Sequence, residues 1–344
     1  MTRAKLETPT PEPSMERPHF VLLGAGASLA ALPDGDAYGR KLPLMDDLVK
    51  TLCLDTRLKA AKIDYSTLNF EALYSRLYSD PNLKNVCRDI EETIRHYFSD
   101  IELPNHPTIY DHLVLSLRPK DFIATFNWDP LLLQAIERNY IPLKKDPPNI
   151  RFLHGCVSAG FCPTCTEPQR FGRCHRMCDC GSEFEPMPLL YPVEKKDYAS
   201  DSRISSAWSD TKIALKRAYW FTVFGYGAPA SDREAVALLK EGWGDVDRRE
   251  LEQVEIIDIK DEETLRNNWS DFIHSHHYST PSSYFNSFLA KFPRRSCEAF
   301  WNASMQLAPE RLNPAPRGGD LAALQAWHAS LFEQEREYEE QNAE

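Results

Sequence analysis

The chain has 344 residues, 42% of them hydrophobic. That is enough for a sizeable core, as one large domain with an appendage or as two domains, and it excludes wholesale disorder. A net charge of -11 argues against any general attraction to nucleic acid or to an anionic membrane surface. No apolar run approaches the roughly 20 residues needed to cross a bilayer. The start, MTRAKLETPTPEPSMERP, lacks the apolar segment of a secretory signal, so a disordered leader over residues 1–17 and a cytoplasmic location are expected.

Along the chain, HFVLLGAGAS (19–28) reads as a buried strand running into a glycine turn. Residues 44–100 carry Leu and Tyr at helical spacing, and a helical insertion is expected over about 40–105. DFIATFNWDP (121–130) begins as a second strand, and the helix LLLQAIERNY follows Pro130. NIRFLHG (149–155) is a third strand. The stretch 156–186 lacks periodicity and holds a cysteine cluster. AYWFTVFGYG (218–227) is a fourth strand, SDREAVALLKEGW (231–243) a helix capped by Ser231 or Asp232, and VEIIDI (254–259) a fifth strand. Residues 263–344 read as a helical C-terminal extension.

Strands alternating with helices predict an α/β fold with a mostly parallel, Rossmann-like sheet. Four of the strands end in Gly, Asn, His or Gly-Tyr-Gly. Ligands of open α/β sheets sit outside the carboxyl ends of the strands, so these residues should converge on one crevice.

Of nine cysteines, five lie between Cys162 and Cys180. Clustering without an export signal points to a metal rather than to disulfides. Cys162-Pro-Thr-Cys165, twelve residues, then Cys178-Asp-Cys180 gives two close pairs on opposing turns, which suits a closed, structural zinc site. Cys174 and His175 are spare ligands. Cys53, Cys87 and Cys297 read as ordinary buried thiols. His274, His276 and His277 do not share a helical face and read as a surface segment, and Arg294-Arg295 as a local charge cluster.

The order of these motifs resembles the sirtuin superfamily. Gly24-Ala25-Gly26-Ala27-Ser28, Thr125-Phe126-Asn127-Trp128-Asp129, His154-Gly155, the two cysteine pairs and Gly225-Tyr226-Gly227 follow one another over residues 19–260. Six residues separate His154-Gly155 from Cys162, and Cys180 is followed by Gly, four residues and Pro186, as in that family. The departures are LAALPDGDAYGRKLPL, LLYPVEKKDY and FGYGAPASD, where sirtuin deacylases carry GIPDFR, FGE and a GTS-like turn. In this respect the chain looks like divergent bacterial SIR2-like domains, several of which cleave NAD in anti-phage defence.

The resemblance implies a SIR2-like NAD-binding domain over 18–262, with the zinc module at about 156–186. It implies that Gly24, Ala25, Gly26 and Ser28 contact a diphosphate, and that Gly225 and Tyr226 lie near the adenosine ribose. Thr125 and Asp232 belong to the cofactor-binding set, Asp129 binds the ribose region or holds its loop, and Asp232 also stands to cap the next helix. Asn127 orients a ribose hydroxyl or a water, and His154 is the base, its reference pKa of about 6.5 suiting neutral pH. The expected reaction is NAD hydrolysis, gated by oligomerisation, a ligand or a partner protein. The alternatives are a protein-lysine deacylase or ADP-ribosyltransferase, and a non-enzymatic sensor of NAD or ADP-ribose.

Overall fold

The computed structural model describes residues 16–66, 68–166, 169–193, 198, 201–228 and 232–342. In chain order the strands are β1 (His19–Leu23), β2 (Phe122–Thr125), β3 (Asn149–Phe152), β4 (Ala159–Thr166), β5 (Gln169–Arg173), β6 (Glu185–Pro186), β7 (Trp220–Phe224), β8 (Gln253–Ile257) and β9 (Tyr278–Ser279). Six of them form a parallel sheet in the order β3-β2-β1-β7-β8-β9.

The central strand β1 is apolar along its length because both faces are covered. Val21 and Leu23 join a core that includes the helices Phe70–Ser79, Lys84–Ser99 and Ile109–Leu115. Phe20 and Leu22 join the opposite core, with the helices Ser202–Arg217 and Arg233–Trp243. The sheet is therefore the middle of three layers. Chain order runs outward from β1 to β3 on one side and from β7 to β9 on the other, so the order reverses between β1 and β7. That reversal is where an open α/β sheet leaves a crevice for a ligand.

The helical insertion buries an apolar stripe at helical spacing. In Lys84–Ser99 the buried residues are Cys87, Ile90, Ile94 and Phe98. The cysteine-rich stretch is a separate antiparallel sheet, β5-β4-β6. Its register shifts between Phe161 and Thr166, across the Cys162-Cys165 turn. This break hides the period-2 pattern from the sequence.

The segment beyond 262 is more than helical. β9 pairs Tyr278 with Val254 and Ser279 with Glu255, completing the sheet. The terminal helix Leu321–Asn342 buries Leu324 and Leu331 against the body of the fold. Its Gln325 donates to the Arg138 carbonyl at 3.1 Å and to Asn139 Oδ1 at 3.0 Å. Of the expected leader, residues 1–15 lie outside the described residues. Arg17 is tied down, donating to the carbonyls of Arg217 (3.1 Å) and Ala218 (2.9 Å) and pairing with Glu252.

Candidate active site and metal centre

The strand ends meet as expected. Gly24 after β1, Phe126 and Asn127 after β2, His154 after β3 and Gly225-Tyr226-Gly227 after β7 line one cavity of about 250 Å3. Ala25, Ser28, Asp129 and Asp232 join them, and residues 42–45 and 48 supply an apolar wall. Glu71, Asp129 and Asp232 are its ionisable acids, and no Lys or Arg is among its described lining residues.

The two glycine loops interlock. Gly24 N donates to Phe224 O and Gly26 N to Gly225 O, both at 2.9 Å. Gly225 has φ +64, and a Cβ there would stand 2.3 Å from Ala27 N. A Cβ on Gly24 would stand 2.6 Å from Gly225 O. Gly26 is spent on this loop contact and is not part of the cavity wall, so its glycine character answers packing rather than ligand approach. Thr125 is also behind the wall, where its Oγ1 accepts from Asn127 N at 3.1 Å.

Behind Gly24 lies a buried polar network. Asn127 Nδ2 donates to Gly24 O at 2.8 Å and faces Ser28 Oγ at 2.9 Å and Tyr110 OH at 3.2 Å. Ser28 Oγ donates to Asp129 Oδ2 at 2.7 Å and also contacts Tyr110 OH at 2.7 Å. Asp129 Oδ1 accepts from Leu131 N at 3.2 Å, so this carboxylate holds its loop. Burial pushes its pKa up to about 6. Both hydrogens of Nδ2 are directed at protein oxygens, so a ligand meets Asn127 through Oδ1.

His154 sits in an aromatic cluster. Its ring is 4.7 Å from that of Phe126 and stacks on Tyr198 at 5.8 Å, and its Nε2 is 3.0 Å from the Tyr198 hydroxyl. Phe126 in turn lies 4.4 Å from Tyr226, whose hydroxyl donates to Asp232 Oδ2 at 3.1 Å. Burial raises the phenol pKa of both Tyr198 and Tyr226, keeping them neutral. Asp232 stands at the N-cap of Arg233–Trp243 without a side-chain cap bond, and the other candidate cap, Ser231, lies outside the described residues.

The metal centre has the expected ligands. The four Sγ atoms of Cys162, Cys165, Cys178 and Cys180 all lie within 4.8 Å of one another. Cys162 and Cys180 are 3.4 Å apart, Cys165 and Cys178 4.0 Å. A tetrahedral zinc with Zn–S bonds of about 2.3 Å needs sulfurs about 3.8 Å apart, so the donor set fits. Four thiolates leave no open position, which makes the site structural. The spare candidates are used elsewhere: Cys174 Sγ donates to Ala159 O at 2.8 Å, and His175 Nδ1 pairs with Glu183 at 2.9 Å.

Cys87 and Cys297 are buried, but Cys53 is exposed, because it follows a short helix in a left-handed turn with φ +53. His274 and His277 engage the carbonyls of Val246 (2.9 Å) and Glu252 (3.3 Å). Arg294 pairs with Glu335, and Arg295 with Glu310. Tyr110, Tyr198 and Glu71 were not foreseen. Tyr110 had one available signal, Thr108 and Asp111 spaced as a capping box that fixes a helix start.

No family model and no curated protein matches the chain. Among solved structures it is similar to a Sir2 homologue in complex with NAD, at 13% identity over 84% of this chain and 92% of that one, with TM-score 0.41. It is similar to a mutant Sir2 homologue in complex with 2'-O-acetyl ADP ribose, at 16% identity over 86% and 97%, with TM-score 0.42. It is also similar to Sir2Tm bound to a propionylated peptide, at 16% identity over 77% and 87%, with TM-score 0.35. Likeness at this level establishes neither ligand nor chemistry, which must come from the chain's own residues.

Proposed function

We propose that the chain binds NAD in the strand-end cavity and cleaves its nicotinamide–ribose bond, passing the ribose to water to give nicotinamide and ADP-ribose. The observation that carries this reading is the convergence of Ser28, Asn127, Asp129 and His154 on one cavity at the point where the sheet order reverses. The helix start at Ala25 faces the diphosphate, with Ser28 behind it in the Asn127 network, and Gly225, Tyr226 and Asp232 lie toward the adenosine ribose.

Loss of nicotinamide builds positive charge on the ribose carbon. The acids of the wall, with no Lys or Arg among its described lining residues, suit that charge. Asn127 Oδ1 accepts a hydrogen from the attacking water or from a ribose hydroxyl, and His154 takes the proton. Asp129 holds the loop through Ser28 and Leu131. Cys162, Cys165, Cys178 and Cys180 would hold a zinc ion that braces the module following β3.

Water is favoured as acceptor over an acyl-lysine because the segment after the zinc module closes in on His154. Leu190 N donates to His154 O at 2.9 Å, Leu190 and Pro192 line the cavity, and Tyr198 stacks on the imidazole. An unrestrained NAD hydrolase would harm its own cell. A gated, defence-type role in the cytoplasm follows, switched on by a second copy, a ligand or a partner protein.

Incubation with NAD, with and without an acylated peptide, tests this. Nicotinamide release without peptide supports hydrolysis, and strict dependence on the peptide supports a deacylase. Full biological activity of both Asn127→Ala and His154→Ala would support a sensor.

A further inference from the structure

The proton inventory behind Asn127 is complete enough to assign a direction to each hydrogen bond. Ser28 has one hydroxyl proton, and it goes to Asp129 Oδ2 at 2.7 Å. The 2.7 Å contact between Ser28 and Tyr110 must then be carried by the Tyr110 proton, donated to Ser28 Oγ. Tyr110 oxygen is left as an acceptor, and what stands 3.2 Å from it is Nδ2 of Asn127. If the Asn127 carboxamide were reversed, its oxygen would face Gly24 O, Ser28 Oγ and Tyr110 O, three atoms with no proton to give.

We propose that Tyr110 is a positioning residue that locks the Asn127 carboxamide with Oδ1 toward the cavity. The proposal rests on the NAD-cleaving reading for its kinetic consequence, though not for its geometry. Tyr110 is itself held rigidly. It lies on the helix Ile109–Leu115, fully buried, one residue from Asp111, which closes a capping box with Thr108. Asp111 Oδ1 also receives Arg138 Nε at 2.6 Å and Asn139 Nδ2 at 2.8 Å.

The lock has a pH limit. Once Asp129 is protonated it can donate to Ser28, freeing the Ser28 proton and removing the fixed direction. Among the described residues, Tyr110 and Cys156 feel the Asp129 charge, and Cys156 Sγ donates to the Asp129 carbonyl at 3.4 Å. Burial raises both, so they stay neutral through this range.

The test uses the full chain as wild type, Tyr110→Phe, Ser28→Ala and the double variant. Two readouts are taken: NAD turnover, and proton exchange of the Asn127 side-chain amide by NMR on 15N-asparagine-labelled protein. Tyr110→Phe keeps the ring that fills the core. It should lower kcat about tenfold, an effect on the scale of one lost hydrogen bond, with KM within about twofold. The acid limb of its kcat profile should move to higher pH, because Ser28 donates less well to Asp129 without Tyr110 behind it. The double variant should lose less than the product of the two single losses, since Ser28 and Tyr110 hold the same Asn127 carboxamide.

Faster exchange of the Asn127 amide in Tyr110→Phe supports the lock. Wild-type kcat together with an unchanged amide signal overturns it, as do multiplicative losses in the double variant. If the wild type cleaves no NAD under any condition, the functional reading fails and the amide signal alone decides: faster exchange supports the lock and unchanged exchange overturns it.

Discussion

At the carboxyl ends of β1, β2 and β7 the buried polar groups are mostly uncharged. Ser28, Tyr110 and Asn127 surround a single carboxylate, Asp129, and turn one side toward a cavity. At the amino ends the buried polar groups are mostly ionic and face one another. Glu298 takes Arg118 at 3.2 Å and Lys120 at 3.0 Å, Asp121 accepts from the backbone of His19 and Arg118 at 2.8 Å each, and Arg294 pairs with Glu335. Paired charge closes one end of the sheet, whereas hydrogen-bonding capacity is left open at the other. The site is therefore separable from the elements that fasten the termini, and substitutions at the two ends should divide into those that change chemistry and those that change stability.

The largest effect expected is at the open end. His154→Ala should slow NAD cleavage by about 10^2 to 10^4, the range for a lost general base, while the thermal midpoint stays within a few degrees. A comparable loss of midpoint would mean that His154 is structural and the comparison is wrong. At the closed end, Glu298→Ala removes the buried carboxylate shared by Arg118 and Lys120 and should cost about 3 kcal/mol in urea unfolding. Turnover per folded molecule should not change, and a drop in kcat would show that the two ends communicate.

Gly225→Ala should breach the division. A side chain there needs φ +64 and collides with Ala27 N. Stability should fall by about 2 kcal/mol and NAD affinity, measured by calorimetry, should fall with it.

The smallest effect concerns Glu255, midway along β8. Its Oε1 accepts from Phe288 N at 2.8 Å, its Oε2 has no hydrogen-bond partner among the described residues, and burial raises its pKa to about 7. A carboxyl raised in the folded state contributes stability that is full below its ordinary value of 4.5 and is lost as pH rises through about 7. Wild-type stability should therefore decline between about pH 4.5 and 7 and level off above that. Glu255→Gln should flatten that slope by about 1 kcal/mol per pH unit, and an identical slope would place the titration elsewhere.

The two ends also differed in how much could be read from the chain. Gly24, Asn127, His154 and Gly225 each interrupt an apolar strand at its end, and parallel topology alone forces such residues together. The zinc ligands were legible because four thiolates in two close pairs need only local turns. The amino-end network was not, since Arg118, Glu298 and Glu335 are far apart in sequence and each looks like a surface charge. β9 escaped because two residues carry no period, and Tyr110 because a lone aromatic on an apolar helix reads as core. Gly26 was legible as a glycine, but its cause was not: it answers to Gly225, two hundred residues away, rather than to a ligand.

The most direct test of the central claim is NAD turnover in H2(18)O without peptide, following nicotinamide and the ADP-ribose isotope by mass spectrometry. Cleavage by water at the strand-end cavity predicts one 18O per ADP-ribose released, and no product from His154→Ala. Intact NAD under every activating condition, or an ADP-ribose product that forms only with an acylated peptide and carries the peptide's acyl group, would contradict it.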